Sequence, residues 1–81
     1  MKTLGEIETT ERGFEVVRFK DFYDADCSLQ QSSLAEYEPP GTSAIWLGCE
    51  GRRMHLNLEQ VEALITHLQA WLVCGSFGGV R

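Results

Sequence analysis

Val61, Leu64, Ile65, Leu68, Trp71 and Leu72 recur at steps of three, one, three, three and one. That spacing gathers apolar side chains on one side of an α-helix and on no other regular structure. Asn57 stands just ahead of the first turn, where its side-chain oxygen can accept from the free backbone N–H groups. Gln60 lies three residues on and can reach back to complete a capping box, while Leu56 and Val61 have the spacing of a hydrophobic staple. Glu59 and Glu62 suit the positive end of the helix dipole. Gly75 is a natural stop, because glycine enters the left-handed conformation without steric cost. The chain is therefore expected to carry one amphipathic helix from Leu58 to about Cys74. Glu59, Glu62, His67 and Gln69 occupy the side opposite the apolar row, which places His67 in solvent.

Everything before this helix reads as strands and turns. Phe14-Glu15-Val16-Val17-Arg18-Phe19 is rich in β-branched and aromatic residues. Phe14 and Val16 share one face of it; Val17 and Phe19 share the other. Cys27 to Ser33 forms a second strand, with Cys27 and Leu29 inward and Ser28, Gln30 and Ser32 outward. Ser43 to Cys49 is the third: Ile45, Leu47 and Cys49 on one face, Ala44, Trp46 and Gly48 on the other. Glu50-Gly51 turns the chain tightly, and Arg53, Met54, His55 and Leu56 are expected to return as a short antiparallel strand. Residues 1–12 are polar and read either as a flexible or weakly ordered start or as an edge strand around Ile7. Asp21 to Asp26 is a solvated turn. Residues 34–42, with Pro39-Pro40-Gly41, form a loop, and 76–81 a glycine-rich tail from which Phe77 can fold back onto the core. The expected architecture is α+β: a small antiparallel sheet of about four strands with the helix packed on one face, a single domain over 1–81.

Such a two-layer unit leaves the far sheet face uncovered. With 81 residues the chain is close to the size at which folding alone becomes marginal, so Val17, Phe19 or Trp46 on that open face would favour a homodimer or higher homo-oligomer. Trp46 either packs under the helix or lies exposed as an anchor.

The charge balance narrows the function. Seven cations against twelve anions give a net charge of −5, which argues against the extended basic face that broad nucleic-acid binding requires. No apolar run approaches the roughly 20 residues that span a bilayer, and the first residues lack the apolar stretch of a signal peptide. Cys27, Cys49 and Cys74 are widely spaced with no CxxC among them, a pattern of reduced core thiols. Neither the zinc spacings nor HExxH nor a phosphate loop is present. Asp21, Asp24 and Asp26 lack the glycine and closing glutamate of a calcium loop. No metal and no cofactor is expected.

For nucleophilic catalysis, the one arrangement available pairs Cys27 or Cys49 with His55; apolar neighbours of Cys49 would leave its thiol inert. An enzyme is the weaker class. Arg52 and Arg53 are stronger candidates, because guanidinium groups grip carboxylate or phosphate with two parallel hydrogen bonds. With His55, and with Arg18 or Lys20 if that strand lies adjacent, they would form an anion pocket near a helix N-terminus. Trp46 or Tyr37 could stack a base. Ser28, Gln30 and Ser32 line one strand face with neutral donors and acceptors suited to a ligand or partner.

Four segments, Cys27-Ser28-Leu29-Gln30-Gln31-Ser32-Ser33-Leu34-Ala35, Ile45-Trp46-Leu47-Gly48, Arg53-Met54-His55-Leu56 and Gln60-Val61 through Leu68-Gln69, resemble in type and order a family of small bacteriophage proteins with no known reaction. Many relatives have a longer stretch between the second and third segments, where this chain has only Cys49-Glu50-Gly51-Arg52. The resemblance implies a viral protein acting in the host cytoplasm. Its expected function is that of a non-enzymatic accessory protein that binds and inhibits or sequesters a host defence component. A sponge for a mononucleotide or cyclic nucleotide, held by Arg52 and Arg53, is one alternative. A small virion or assembly protein is the other.

Overall fold

The computed structural model describes residues 3–33, 43–51 and 53–78. Four strands form one antiparallel sheet in the order of the chain: β1 (Ile7–Thr9), β2 (Glu15–Lys20), β3 (Asp26–Gln31) and β4 (Ile45–Cys49). The helix α1 (Leu58–Cys74) follows and packs on one face. This is the expected α+β architecture with one exchange of membership. The fourth strand is Ile7–Thr9, not the Arg53–Leu56 segment, which forms no strand and is unpaired with β4. The reason is a competing set of partners. The His55 N–H donates to Asp21 Oδ2 (2.9 Å), and the His55 carbonyl accepts from Phe22 N–H (2.6 Å). The segment is drawn across the β2–β3 turn instead of back along β4.

Register places Ile7, Val17, Leu29 and Leu47 in one row across the sheet. Val17 and Leu29 are fully buried and close around Phe77, which folds back from the helix end as expected; Leu4, Ile7, Ile45, Leu64, Leu68 and Trp71 pack around them. Val17 and Phe19 are therefore core residues under the helix, not part of an open face. On β3, alternation runs as expected, with Cys27 and Leu29 buried and Ser28 and Gln30 half-exposed.

Both ends of α1 are tied to β2. At the start, Asn57 Oδ1 accepts from Gln60 N–H (2.8 Å) and Gln60 Oε1 accepts from Asn57 N–H (3.1 Å), a complete capping box. The Gln60 amide also donates to the Lys20 carbonyl (2.7 Å). At the far end Gly75 adopts φ 76°, the left-handed geometry that glycine supplies at no steric cost. Gln31 Nε2 donates to the Gly75 carbonyl (2.7 Å). The Glu15 carboxylate accepts from Ser76 Oγ (2.9 Å) and Phe77 N–H (2.8 Å). With its start at Lys20 and its end at Glu15, the helix runs back along β2 in the opposite sense.

The helix is rotated about its axis relative to the expected phase. His67, expected in solvent, has no exposed surface, and Ala63 beside it is also buried. His67 Nδ1–H donates to the Phe77 carbonyl (3.0 Å), while Nε2 accepts from Leu4 N–H (3.1 Å) and lies 3.0 Å from Thr3 Oγ1. Val61, Ile65 and Leu72, expected inward, are exposed, as are Leu58 and Val73. Among the described residues no helix is long and apolar enough to cross a membrane.

Candidate functional site

The sheet face away from the helix is set by period-two alternation. Val16, Gln30 and Trp46 stand abreast, and Arg18, Ser28 and Gly48 form the next row. Trp46 is 67% exposed, so of its two expected placements the outward one holds. Ser32 continues the ladder one step further, its N–H donating to the Ala44 carbonyl (2.9 Å). The structure thus brings together Trp46, Gln30 and Ser28 from the expected partner surface. Tyr37 lies outside the described residues.

A cleft of about 430 Å³ opens beside Trp46. Gln30 and Ser33 line one side and Arg12 and Phe14 the other, with Thr10 and Glu11 completing the rim. The β1–β2 turn builds this second wall. Thr10 N–H donates to the Phe14 carbonyl (2.8 Å), Phe14 N–H donates to Thr10 Oγ1 (3.2 Å), and Gly13 N–H donates to the Thr10 carbonyl (2.9 Å). So held, the Arg12 guanidinium sits 5.7 Å from the Phe14 ring centroid, within cation–π range. Among the described residues the cleft therefore offers one cation, one carboxylate, two aromatic rings and neutral amide and hydroxyl groups. Arg12 and Phe14 had no signal in the sequence as site residues, since the turn that aims them depends on strand register.

The expected anion-binding residues fall in different places. Arg52 lies outside the described residues. Arg53 and His55 are exposed on the segment ahead of the helix. Arg18 and Lys20 project from the far sheet face and are each paired: Arg18 with Glu8 at 3.0 Å, and Lys20 with Asp26. The Asp26 carboxylate holds the Lys20 ammonium above its ordinary pKa. His55 instead joins an aromatic group at the β2–β3 turn, its ring edge-on to Tyr23 with centroids 4.7 Å apart; Tyr23 is likewise edge-on to Phe22 at 5.4 Å.

That turn is organised by Asp21, which is buried rather than solvated. Oδ1 accepts from Tyr23 N–H and Ala25 N–H, both at 2.9 Å, and Oδ2 from His55 N–H. The His55 bond first, then that from Ala25, holds the Asp21 carboxyl below the usual carboxylate range. Asp24 takes φ 66°, a left-handed conformation that Asp tolerates in turns. Cys27 and Cys49 face each other directly across β3 and β4. Burial, and then the neighbouring Cys49 thiol, push Cys27 up to about 11. A thiol held that high is a poor nucleophile at neutral pH.

Comparison with protein-family models, with curated proteins and with solved structures returns no match to this chain.

Proposed function

We propose that this chain is a non-enzymatic phage accessory protein that works in the host cytoplasm by binding, and so inhibiting or sequestering, a host defence component. The phage setting rests on the resemblance of its four segments. The binding role is carried by one observation: on the sheet face away from the helix, Trp46 is two-thirds exposed with a cleft at its side. An exposed indole beside amide and hydroxyl side chains, with Arg12 and Glu11 on the same cleft, has the composition of an interface anchor, which combines apolar area with few rotatable bonds. The buried, high-pKa Cys27 thiol supports a binding role over a nucleophilic one.

The experiment is co-purification from defence-carrying host cells with the wild-type chain and Trp46→Ala. Loss of an anchor of this kind costs about 2 kcal/mol or more, roughly thirtyfold in affinity, so the captured host protein should drop to background while the melting temperature of the variant stays near wild type. Equal capture by the two chains would remove the reading.

A second reading, a nucleotide sponge, is supported by Arg12 lying in the same cleft as Trp46: a cation for phosphate beside a ring for the base. Glu11 in that rim opposes it. Calorimetric titration with mono-, di- and cyclic nucleotides separates the two, since heat abolished by Arg12→Ala and Trp46→Ala would move the assignment to the sponge. A homo-oligomer is also proposed, and the exposed apolar residues on the outward flank of α1 support it.

A further inference from the structure

Asp21, Cys27 and Cys49 come from a turn and two strands, yet a carboxylate oxygen of Asp21 and the two Sγ atoms all lie within 4.8 Å of one another. We propose that these three side chains form a binding site for a thiophilic divalent cation of the Zn²⁺ type, closed on three sides by protein and open on the fourth.

The donor set decides the class of ion. Two sulfurs and one oxygen suit Zn²⁺, whereas calcium and magnesium take oxygens alone. With metal–sulfur bonds of about 2.3 Å and a metal–oxygen bond of about 2.1 Å, a tetrahedral ion needs its ligand atoms about 3.6–3.8 Å apart. The observed ceiling of 4.8 Å is above that, so the ligand side chains must draw in by up to about 1 Å when the ion binds. Register already supplies the pairing, because Cys27 and Cys49 are direct cross-strand partners on the helix-covered face.

The carboxylate is prepared for the role. The Tyr23, Ala25 and His55 N–H groups fix its plane, as the hydrogen-bonded surroundings of a metal ligand ordinarily do. Oδ1 takes two of these donors and Oδ2 one, so Oδ2 is the oxygen with more capacity to spare. Asp21 and Cys27 are buried, while Cys49 is only partly so. An ion therefore enters from the Cys49 side, where the fourth position faces solvent and takes water. Binding forms two metal–sulfur bonds and one metal–oxygen bond. Each thiol gives up its proton to solvent and no electron is transferred. His55 is not one of the three ligands; its backbone N–H, not its ring, holds the site together.

The site is separate from the Trp46 face, so either can fail alone. The probe is Co²⁺ added to the reduced full chain carrying Cys74→Ser, which removes the exposed third thiol. One equivalent should produce a near-ultraviolet sulfur-to-cobalt charge-transfer band and tetrahedral visible bands, and Zn²⁺ should abolish both. Cys27→Ser and Cys49→Ser should each weaken binding at least tenfold. Saturating Zn²⁺ should slow alkylation of the two thiols at least tenfold. Asp21→Asn should keep a weaker charge-transfer band and lose affinity, and where that variant fails to fold, the Cys49→Ser chain carries the test. A folded chain that shows no charge-transfer band, or a band undiminished in both serine variants, overturns the proposal.

Discussion

The two flanks of α1 differ in kind, and the more apolar one is the one left in solvent. Toward the β1 side the helix buries Ala63 and the imidazole of His67. On its other flank Leu58, Val61, Ile65 and Leu72 stand in a row with Leu72 77% exposed, and on the sheet below, Leu47 is 40% exposed. By transfer free energy alone the arrangement is upside down, since burying Ile65 and Leu72 gains more than burying a histidine. What settles the phase is the backbone at either side of His67. Leu4 arrives with a part-buried N–H and Phe77 with a buried carbonyl, and groups withdrawn from water in this way must find partners. A neutral imidazole offers one donor and one acceptor on opposite edges of a single ring, and it satisfies both. A leucine there would leave two polar groups stranded. Helix phase in a domain this small follows the most demanding hydrogen-bond requirement, and the apolar row takes what remains.

The largest expected effect tests that claim directly. His67→Leu keeps size and apolarity but strands the Leu4 N–H and the Phe77 carbonyl, at about 1–3 kcal/mol each if both stay buried. A total loss of roughly 2–4 kcal/mol is expected, which for a domain of this length lowers the melting temperature by some 10–20 °C. Urea unfolding checks it. A stable His67→Leu chain with its apolar row newly protected from solvent would show that the helix can turn, and that hydrogen bonding does not set its phase.

Asp21 is the second buried polar joint, ahead of the start of the helix, and it sharpens the comparison through pH. Its folded pKa lies below the unfolded value of about 3.9. Between the two values the unfolded chain binds the proton and the folded chain does not, so acid favours unfolding. The contribution of Asp21 to stability is fully present above the unfolded value and is lost as pH falls through the folded one. Asp21→Asn keeps an acceptor oxygen and removes the charge. The gap in melting temperature between wild type and Asp21→Asn should be constant from pH 7 to about 5 and should narrow steadily below about pH 4. A gap that does not change with acid would mean that the ionised form is not what the three N–H groups hold.

These two joints also mark where sequence reasoning reaches its limit. Asn57, Gln60 and Gly75 were legible because capping depends on neighbours within a turn of the chain. Strand alternation was legible at Ser28 and Gln30 against Cys27 and Leu29, since period two is a local property. His67 was not, because its partner Leu4 is 63 residues away. Nor was the fate of Arg53 to Leu56, a stretch whose pairing was decided by Asp21, 34 residues upstream of His55. The candidate site divides the same way. Trp46 and Gln30 were evident from one strand each. Arg12 and Phe14 were not, nor was the meeting of Asp21, Cys27 and Cys49, because those depend on which strands pair and in which register.

The smallest effect on stability is expected on the outward flank, and it carries the clearest consequence for assembly. Ile65 and Leu72 lie seven residues apart, on one line of the helix, and share little with the core. Ile65→Ser and Leu72→Ser together should change the unfolding free energy of dilute protein by no more than about 0.5 kcal/mol per site. In the proposed homo-oligomer a two-fold axis across this row would set Leu58 of one copy near Leu72 of another, so that apolar residues meet their own kind. Wild type should therefore associate, with a melting temperature that rises with protein concentration, whereas the double variant should melt at one temperature throughout. Solution mass from light scattering gives the same answer independently. If wild type remains a monomer with a concentration-independent melting temperature, the row is not a self-association surface. The imidazole on the opposite flank would then have set the phase of α1 at the full cost of leaving those side chains in water.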